Sequence, residues 1–239
     1  MAKVNNGFSV LFHCEELGAI LRDGHFLLKS GRHSSMYLAK DALQPHTLLT
    51  KEMCHWLFQR LETRPHFVIA PAVAGISLAQ MLAHTYSELL GRQVYFVYTE
   101  KHVGNGIETQ RIKRPSFVQH IKGHTGIVFE DVLTTGASTK SVVDEVRAIG
   151  GQITHGAALF NRGGVRPLDI GLTRLESLVT QMHLSERYGN DGFKTYEPGR
   201  DTCPMCAEDM PLNLQYGHAA AELARQQREQ ESKIPPLDE

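Results

Sequence analysis

Cysteine is scarce in this chain. Four in 239 residues, at positions 14, 54, 203 and 206, do not make the disulfide framework of a secreted scaffold and fit a reducing compartment. An excess of one charge is missing too. With 25 basic and 26 acidic residues and a formal net charge of −1, a broad basic face for non-specific nucleic-acid binding is not expected, although local basic loops remain open. No apolar run approaches the roughly 20 residues of a membrane span, and Met1-Ala2-Lys3-Val4-Asn5-Asn6 lacks the apolar core of a signal peptide. The expectation is a cytoplasmic protein with neither a membrane nor a nucleic acid as partner. Disorder is not indicated either, since 41% hydrophobic and 21% charged residues can bury one substantial core with appendages.

What is present is concentrated in Ile127-Val128-Phe129-Glu130-Asp131-Val132-Leu133-Thr134-Thr135-Gly136-Ala137-Ser138. An apolar run rich in β-branched and aromatic residues stops at two acids and continues as a small, hydroxyl-rich turn, which reads as buried strand, loop and helix with Ser138 as N-cap. Backbone N–H groups of Thr135 to Ser138, the hydroxyls and the helix N-terminus would together make an anion site of phosphate size. Glu130 and Asp131 at the strand end would repel that phosphate unless they face something else. A sugar diol suits paired acceptors, so the stretch points to a phosphoribosyl ligand.

Two acids followed by Val132-Leu133-Thr134-Thr135-Gly136-Ala137-Ser138 resemble the phosphoribosyl-pyrophosphate (PRPP) motif of the type I phosphoribosyltransferases. An ordinary buried strand ending in a polar turn would explain the apolar run but not the acid pair and the Thr-Thr-Gly after it. The resemblance implies an α/β fold, with a central parallel sheet flanked by helices and a small N-terminal hood. It also implies PRPP contacts along Glu130, Asp131, Val132, Leu133, Thr134, Thr135, Gly136, Ala137 and Ser138.

Earlier in the chain, Val10, Leu11, Cys14, Leu17 and Leu21 have helical spacing. His25 to Leu38 reads as two short strands around a cationic Ser30-Gly31 turn that exposes Lys29 and Arg32. On its own that turn is a soluble hairpin tip, but it resembles the hood of the family members that act on orotate. The resemblance gives Lys29 a substrate role and places Tyr37 and Leu38 beside the base. Pro45 to Glu62 carries an apolar helical stripe that includes Leu48 and Trp56, the latter expected in the core. Phe67 to Ala70 is a short buried strand, followed by Pro71-Ala72-Val73-Ala74-Gly75 and a helix from Ile76 to Leu90. This resembles the family's pyrophosphate loop with Ala70 in place of its first glycine. Val73 and Ala74 stand where some members carry lysine, so backbone N–H groups of Ala72 and Val73 would do the binding.

Thr99 to His124 is polar, with glycines and no clear periodicity, and reads as a long loop that could close over a labile substrate. The resemblance makes it a mobile lid whose cations, Lys101 and Arg111 among them, reach pyrophosphate. Val142, Val143, Val146 and Ile149 then mark a helix ending at Gly150-Gly151. Gln152 to Phe160 is a strand that delivers Asn161-Arg162-Gly163-Gly164 at its carboxyl end. Orotate has a carboxylate, and a guanidinium can bind one bidentately; by resemblance Arg162 and Thr134 contact the base. Leu175 to Leu184 reads as a last strand, and Tyr216 to Glu231 as a polar surface helix. Cys203 and Cys206 could share a zinc, but a structural site needs four ligands and there is no second Cys-x-x-Cys. His183 or His218 would complete one only by accident of folding, so unbound thiols in a tight turn are the favoured reading.

The expected divisions are 1–45 (helix and hood), 46–185 (PRPP-binding core) and 186–239 (tail). By resemblance the chain would transfer phosphoribosyl from PRPP to orotate as a homodimer with shared sites, with Lys29, Glu130, Asp131 and Lys101 at the reaction. Mg²⁺ would be held mainly by pyrophosphate and ribose oxygens. A transferase for a purine or uracil, or a PRPP-sensing regulator without catalysis, are the alternatives.

Overall fold

The computed structural model describes residues 6–28, 30–104, 107–189, 193–217, 219 and 223. In chain order the helix α1 (Gly7–Glu16) is followed by four two-residue strands, β1 (Ile20–Leu21), β2 (Phe26–Leu27), β3 (His33–Ser34) and β4 (Tyr37–Leu38). Next come α2 (Thr47–Leu61), β5 (Phe67–Pro71), α3 (Ile76–Leu90), β6 (Tyr95–Gly104), β7 (Ile107–Arg111) and α4 (Pro115–Ile121). The chain continues through β8 (Thr125–Leu133), α5 (Ala137–Ala148), β9 (Gln152–Asn161), β10 (Arg174–Thr180), α6 (Gln181–Tyr188) and α7 (Pro204–Ala207).

These elements divide into two compact units, one of Met1–Leu17 with Lys40–His183, the other of Gly18–Ala39 with Leu184–Glu239. The hood and the tail, which the sequence reading separates, thus share a unit. In the first, six strands run in the order β10-β9-β8-β5-β6-β7, parallel throughout except for the antiparallel β6–β7 edge. Central β5 is buried at every position, as its apolar run requires when helices cover both faces. Phe67, Ile69, Val128, Val142, Val146 and Leu172 belong to one core cluster. Because β5, β8 and β9 are parallel, their carboxyl ends open on one edge, and that places the turns after each of them together.

Several local readings are corrected. The first helix ends at Glu16, and the apolar Ile20 and Leu21 pair instead with Leu38 and Tyr37. Spacing alone did not separate the two, because both periods accept those positions. Leu48 is 85% exposed and Trp56 only half-buried, so the stripe of α2 is narrower than its apolar residues imply. Residues 99–124 are no structureless loop: β6 continues to Gly104, β7 returns antiparallel to it, and α4 follows. The alternation of residues such as Thr109 and Gln110 is polar on both faces, which hides a hairpin from any hydrophobic pattern. Of the surface helix expected from Tyr216 to Glu231, nearly all lies outside the described residues.

In the second unit β1 pairs with β4 and β2 with β3, both antiparallel. Tail residues complete it. His33 exchanges two backbone hydrogen bonds of 2.8 Å with Tyr196, and Arg32 Nε donates to Thr195 Oγ1 at 2.8 Å.

Candidate active site

The acid pair lies near the carboxyl end of β8. The strand runs two residues past Asp131, with Val132 opposite Phe160 and Leu133 opposite Asn161 of β9. The two carboxyls remain close enough to interact, yet they have different partners. Asp131 is 3% exposed; its Oδ1 accepts a hydrogen bond from Val132 N at 2.7 Å, and its Oδ2 lies 2.5 Å from Lys40 Nζ. That approach makes Lys40 and Asp131 a close ion pair. Glu130 Oε2 accepts from Thr139 Oγ1 at 3.1 Å. Burial first, and the neighbouring Asp131 charge second, push the Glu130 carboxyl up to about 8, against smaller opposing effects of Thr139 and Lys40. At neutral pH Glu130 is therefore largely protonated, next to the Asp131–Lys40 ion pair.

After Leu133 the chain turns through Thr134, Thr135 and Gly136. Gly136 has φ 76°, and a Cβ there would stand 2.6 Å from Ile170 Cγ2, so both conformation and packing require glycine. The residue at the helix N-cap is this glycine, not Ser138, which falls in the first turn of α5. No side chain caps α5; Thr135 Oγ1 reaches Ala137 N only at 3.4 Å. The first-turn N–H groups have no intrahelical carbonyl, and Thr134, Thr135 and Ala137 are exposed. An anion site with hydroxyls on its rim results.

Two further turns flank this one. Gly163 N donates to Leu133 O at 3.1 Å, and a Cβ on Gly163 would fall 1.6 Å from Thr134 O. Asn161 locks that turn by pairing its amide with both Val165 N (2.9 Å) and Val165 O (2.8 Å). Half-buried Arg162 directly precedes the glycine that packs on Thr134; Arg162 and Thr134 are the two residues expected to meet the base. On the other side, the turn after β5 includes a cis peptide between Ala72 and Val73 and brings Gly75 against the strand: a Cβ there would be 3.8 Å from Asp131 N. Val73 is 79% exposed. The Ala72 N–H is already bonded to Thr99 O at 3.0 Å, so it would have to leave that carbonyl to serve a ligand.

The cations of the hairpin are less open than a free lid implies. Exposed Lys101 Nζ lies 3.3 Å from Glu108 across the β6–β7 ladder, and Arg111 Nη1 lies 2.6 Å from Glu145 of α5, whose other oxygen accepts Ile112 N at 2.9 Å. Lys29 lies outside the described residues. Tyr37 and Leu38 belong to the second unit, where Tyr37 stacks on Phe26 at 5.5 Å and Leu38 is buried. There too Cys203 and Cys206 stand beside His25 and His33. Of the two histidines that could have joined them only by accident of folding, His183 lies in the first unit, where its Nδ1 accepts from Thr180 N at 3.1 Å, and His218 lies outside the described residues.

Sequence reasoning missed Lys40, Thr139 and Asn161. Lys40 follows the short strand β4 in a 3₁₀ turn, Lys40–Leu43, and only tertiary folding brings it to Asp131. Thr139 could have been found, since a third hydroxyl follows Thr135 and Ser138 in the first turn of α5.

No protein-family model matches the chain. A curated orotate phosphoribosyltransferase of Carboxydothermus hydrogenoformans is 31% identical over 195 residues, covering 80% of this chain and 88% of the relative. One from Desulforamulus reducens is also 31% identical over 195 residues, covering 81% and 88%. Among solved structures, orotate phosphoribosyltransferase from Aeropyrum pernix superposes with a TM-score of 0.58 at 25% identity, covering 75% of this chain and 98% of that one. A phosphoribosyltransferase from Corynebacterium diphtheriae shares the fold with a TM-score of 0.55 at 18% identity, covering 77% and 99%.

Proposed function

The chain belongs to the orotate phosphoribosyltransferase family, and from that premise we propose how its own residues carry the transfer of phosphoribosyl from PRPP to orotate, giving orotidine 5′-monophosphate and pyrophosphate. One observation carries the assignment. An acid pair in β8 runs straight into an uncapped helix start, with the Arg162 turn bonded against it through Gly163 and Leu133.

In this reading the turn from Thr134 to Ser138 holds the 5′-phosphate on first-turn N–H groups and hydroxyls. Asp131 and Glu130 hold the ribose diol, with the protonated Glu130 as both donor and acceptor. Arg162 and Thr134 orient orotate through its carboxylate. Pyrophosphate leaves C1 with the bonding electron pair, and a nitrogen of the anionic base attacks the cationic sugar carbon. No strong acid or base is required; positioning and charge neutralisation do the catalysis. Lys101 is exposed enough to serve the pyrophosphate, whereas Arg111 would first have to leave Glu145.

The donor set fits a magnesium ion held by substrate oxygens and water rather than by the protein. Glu130 is largely uncharged at neutral pH and Asp131 already has an ammonium at 2.5 Å. When bound, the ion neutralises charge on the leaving pyrophosphate. We further propose a homodimer in which the exposed β6–β7 hairpin serves a neighbouring site. Mixing inactive Asp131→Asn subunits with inactive Lys101→Ala subunits should restore turnover; no rescue after verified exchange overturns site sharing.

The experiment for the base is direct: incubate the protein with PRPP, Mg²⁺ and, separately, orotate, uracil, adenine and hypoxanthine, and follow nucleotide formation. Orotate alone should be converted efficiently. Preference for uracil or a purine overturns the assignment of Arg162 and Thr134 to orotate.

A further inference from the structure

His25 and His33 flank the β2–β3 hairpin, while Cys203 and Cys206 lie more than 160 residues further along the chain, yet their ligating atoms all fall within 4.8 Å of one another. Cys206 Sγ lies 3.3 Å from His33 Nδ1 and 3.7 Å from His25 Nε2, and Cys203 Sγ lies 3.8 Å from the same His25 nitrogen. A tetrahedral zinc with ordinary Zn–N and Zn–S bonds has ligand-to-ligand edges of about 3.3 to 3.8 Å. The two imidazole nitrogens, at 2.7 Å, need to open by only about half an ångström to join that figure.

The site is oriented from outside. His25 Nδ1 lies 2.7 Å from Met210 O, and since a carbonyl can only accept, Nδ1 carries the proton and Nε2 turns a bare lone pair toward the other three groups. Each ligand's backbone is anchored as well: His33 by the exchange with Tyr196, His25 O by Asn213 N at 2.7 Å, and Cys203 N by Gly199 O at 2.9 Å. Pro204 starts a single helical turn with Cys203 as its N-cap, which returns Cys206 to the same side. Three of the four residues are buried, and no disulfide joins the cysteines.

We propose that His25, His33, Cys203 and Cys206 form a closed, structural zinc site that ties the hood hairpin to the tail. Four protein ligands leave no open position for a substrate, and a mixed set of two thiolates and two imidazoles suits zinc among the common divalent ions. Binding releases both thiol protons to solvent, while the imidazoles bind through neutral lone pairs. Two thiolates then balance the dication, and the buried site carries no net charge. The need is visible in the surrounding unit: its four strands are two residues each, too short to stabilise a fold by pairing alone.

The test uses the full chain, with cysteines kept reduced and no chelator present, and reads metal rather than turnover. Elemental analysis of the isolated wild type should give about one zinc per chain, as a four-ligand site predicts. Cobalt substitution should give the visible bands of a tetrahedral ion with thiolate-to-cobalt charge transfer in the near ultraviolet. Cys203→Ser with Cys206→Ser should lose both signals, and a strong chelator should lower the wild type's melting temperature until zinc, but not magnesium, is restored. If that double variant fails to fold, the wild-type zinc content and cobalt spectrum still decide. Wild-type protein without bound zinc that gives an octahedral cobalt spectrum or none overturns the site. None of its four ligands holds substrate in the proposed transferase mechanism, so that outcome leaves the transferase reading standing.

Discussion

In the first unit, polar residues stand at the edge of an apolar sheet: Glu130 and Asp131 lie just beyond Ile127, Val128 and Phe129, each fully buried. In the second, polar side chains hold the chain itself, as where Arg32 reaches Thr195 and Glu197 and Ser34 Oγ donates to Lys194 O at 2.9 Å. The first unit has a continuous apolar core away from its site, so the site can hold charges arranged for a ligand. The second joins short two-residue strands to tail segments through such contacts, so removing one of them should loosen structure. Substitutions that move activity without stability in one unit, and local stability in the other, sharpen this contrast; the reverse pattern breaks it.

The largest effect should come from Asp131→Asn. Loss of the single carboxylate charge facing Lys40 should lower kcat/KM about 1,000-fold, the equivalent of about 4 kcal/mol, while the melting temperature moves by only a few degrees. Activity within tenfold of wild type at saturating PRPP would remove this residue from the site. Arg162→Ala comes next. A charge-assisted bidentate contact in a water-poor site is worth on the order of 2–4 kcal/mol, so KM for orotate should rise about 30- to 1,000-fold. PRPP affinity should stay nearly unchanged, because its contacts come from the turn after β8; equal weakening of both substrates would make Arg162 structural.

Those two residues also show how much the sequence discloses. The acid pair, the Thr-Thr-Gly turn and Arg162 were legible because each is a short-range pattern at a strand end, where the buried apolar run fixes the edge of the sheet. Lys40 was not legible, since its meeting with Asp131 is made by the path of the chain between β4 and α2 and no local period marks it. The zinc ligands were half legible: Cys203 and Cys206 announce a pair, but His25 and His33 are eight residues apart across a turn and look like hairpin residues until the tail folds onto them. The β6–β7 hairpin was missed because it pairs polar strands. In the core, by contrast, burial and sequence pattern carry the same information, and β5, β8 and β9 were placed, whereas the strand expected over Leu175–Leu184 ends at Thr180, where α6 begins.

Glu130→Gln should change stability through pH. Burial and the Asp131 charge raise the folded-state pKa from 4.5 to about 8, so between those values the folded chain holds a proton that the unfolded chain has released. Stability associated with that proton is complete below about pH 4.5 and is lost as pH rises toward 8. Lys40 and Asp131 face the same carboxyl and moderate the effect from opposite sides. Glutamine keeps a hydrogen-bonding group without a titration, so its stability relative to wild type should rise from pH 5 to pH 8 by on the order of 2 kcal/mol. Parallel stability curves for the two proteins would show that Glu130 is ionised throughout.

The smallest effect, and the sharpest test of the second unit, is Arg32→Ala. Its guanidinium donates from Nε to Thr195 Oγ1 at 2.8 Å and from Nη2 to Thr195 O at 2.9 Å, and Nη1 pairs with Glu197. With the side chain 38% exposed, the ion pair itself is screened and contributes little, but two directed hydrogen bonds fasten tail to hairpin. Their loss should cost about 1–2 kcal/mol. Because the first unit has its own core, the cost should appear as faster hydrogen exchange of the Tyr196 and His33 amides, whose mutual bonds sit beside Arg32, with the sheet amides of β5 and β8 unchanged. Arg32→Lys should recover only part of it, since an ammonium cannot reach both acceptors in the geometry of a fork. Uniformly faster exchange across both units would mean that they unfold as one, and the contrast between an apolar unit and a polar-stitched one would fail.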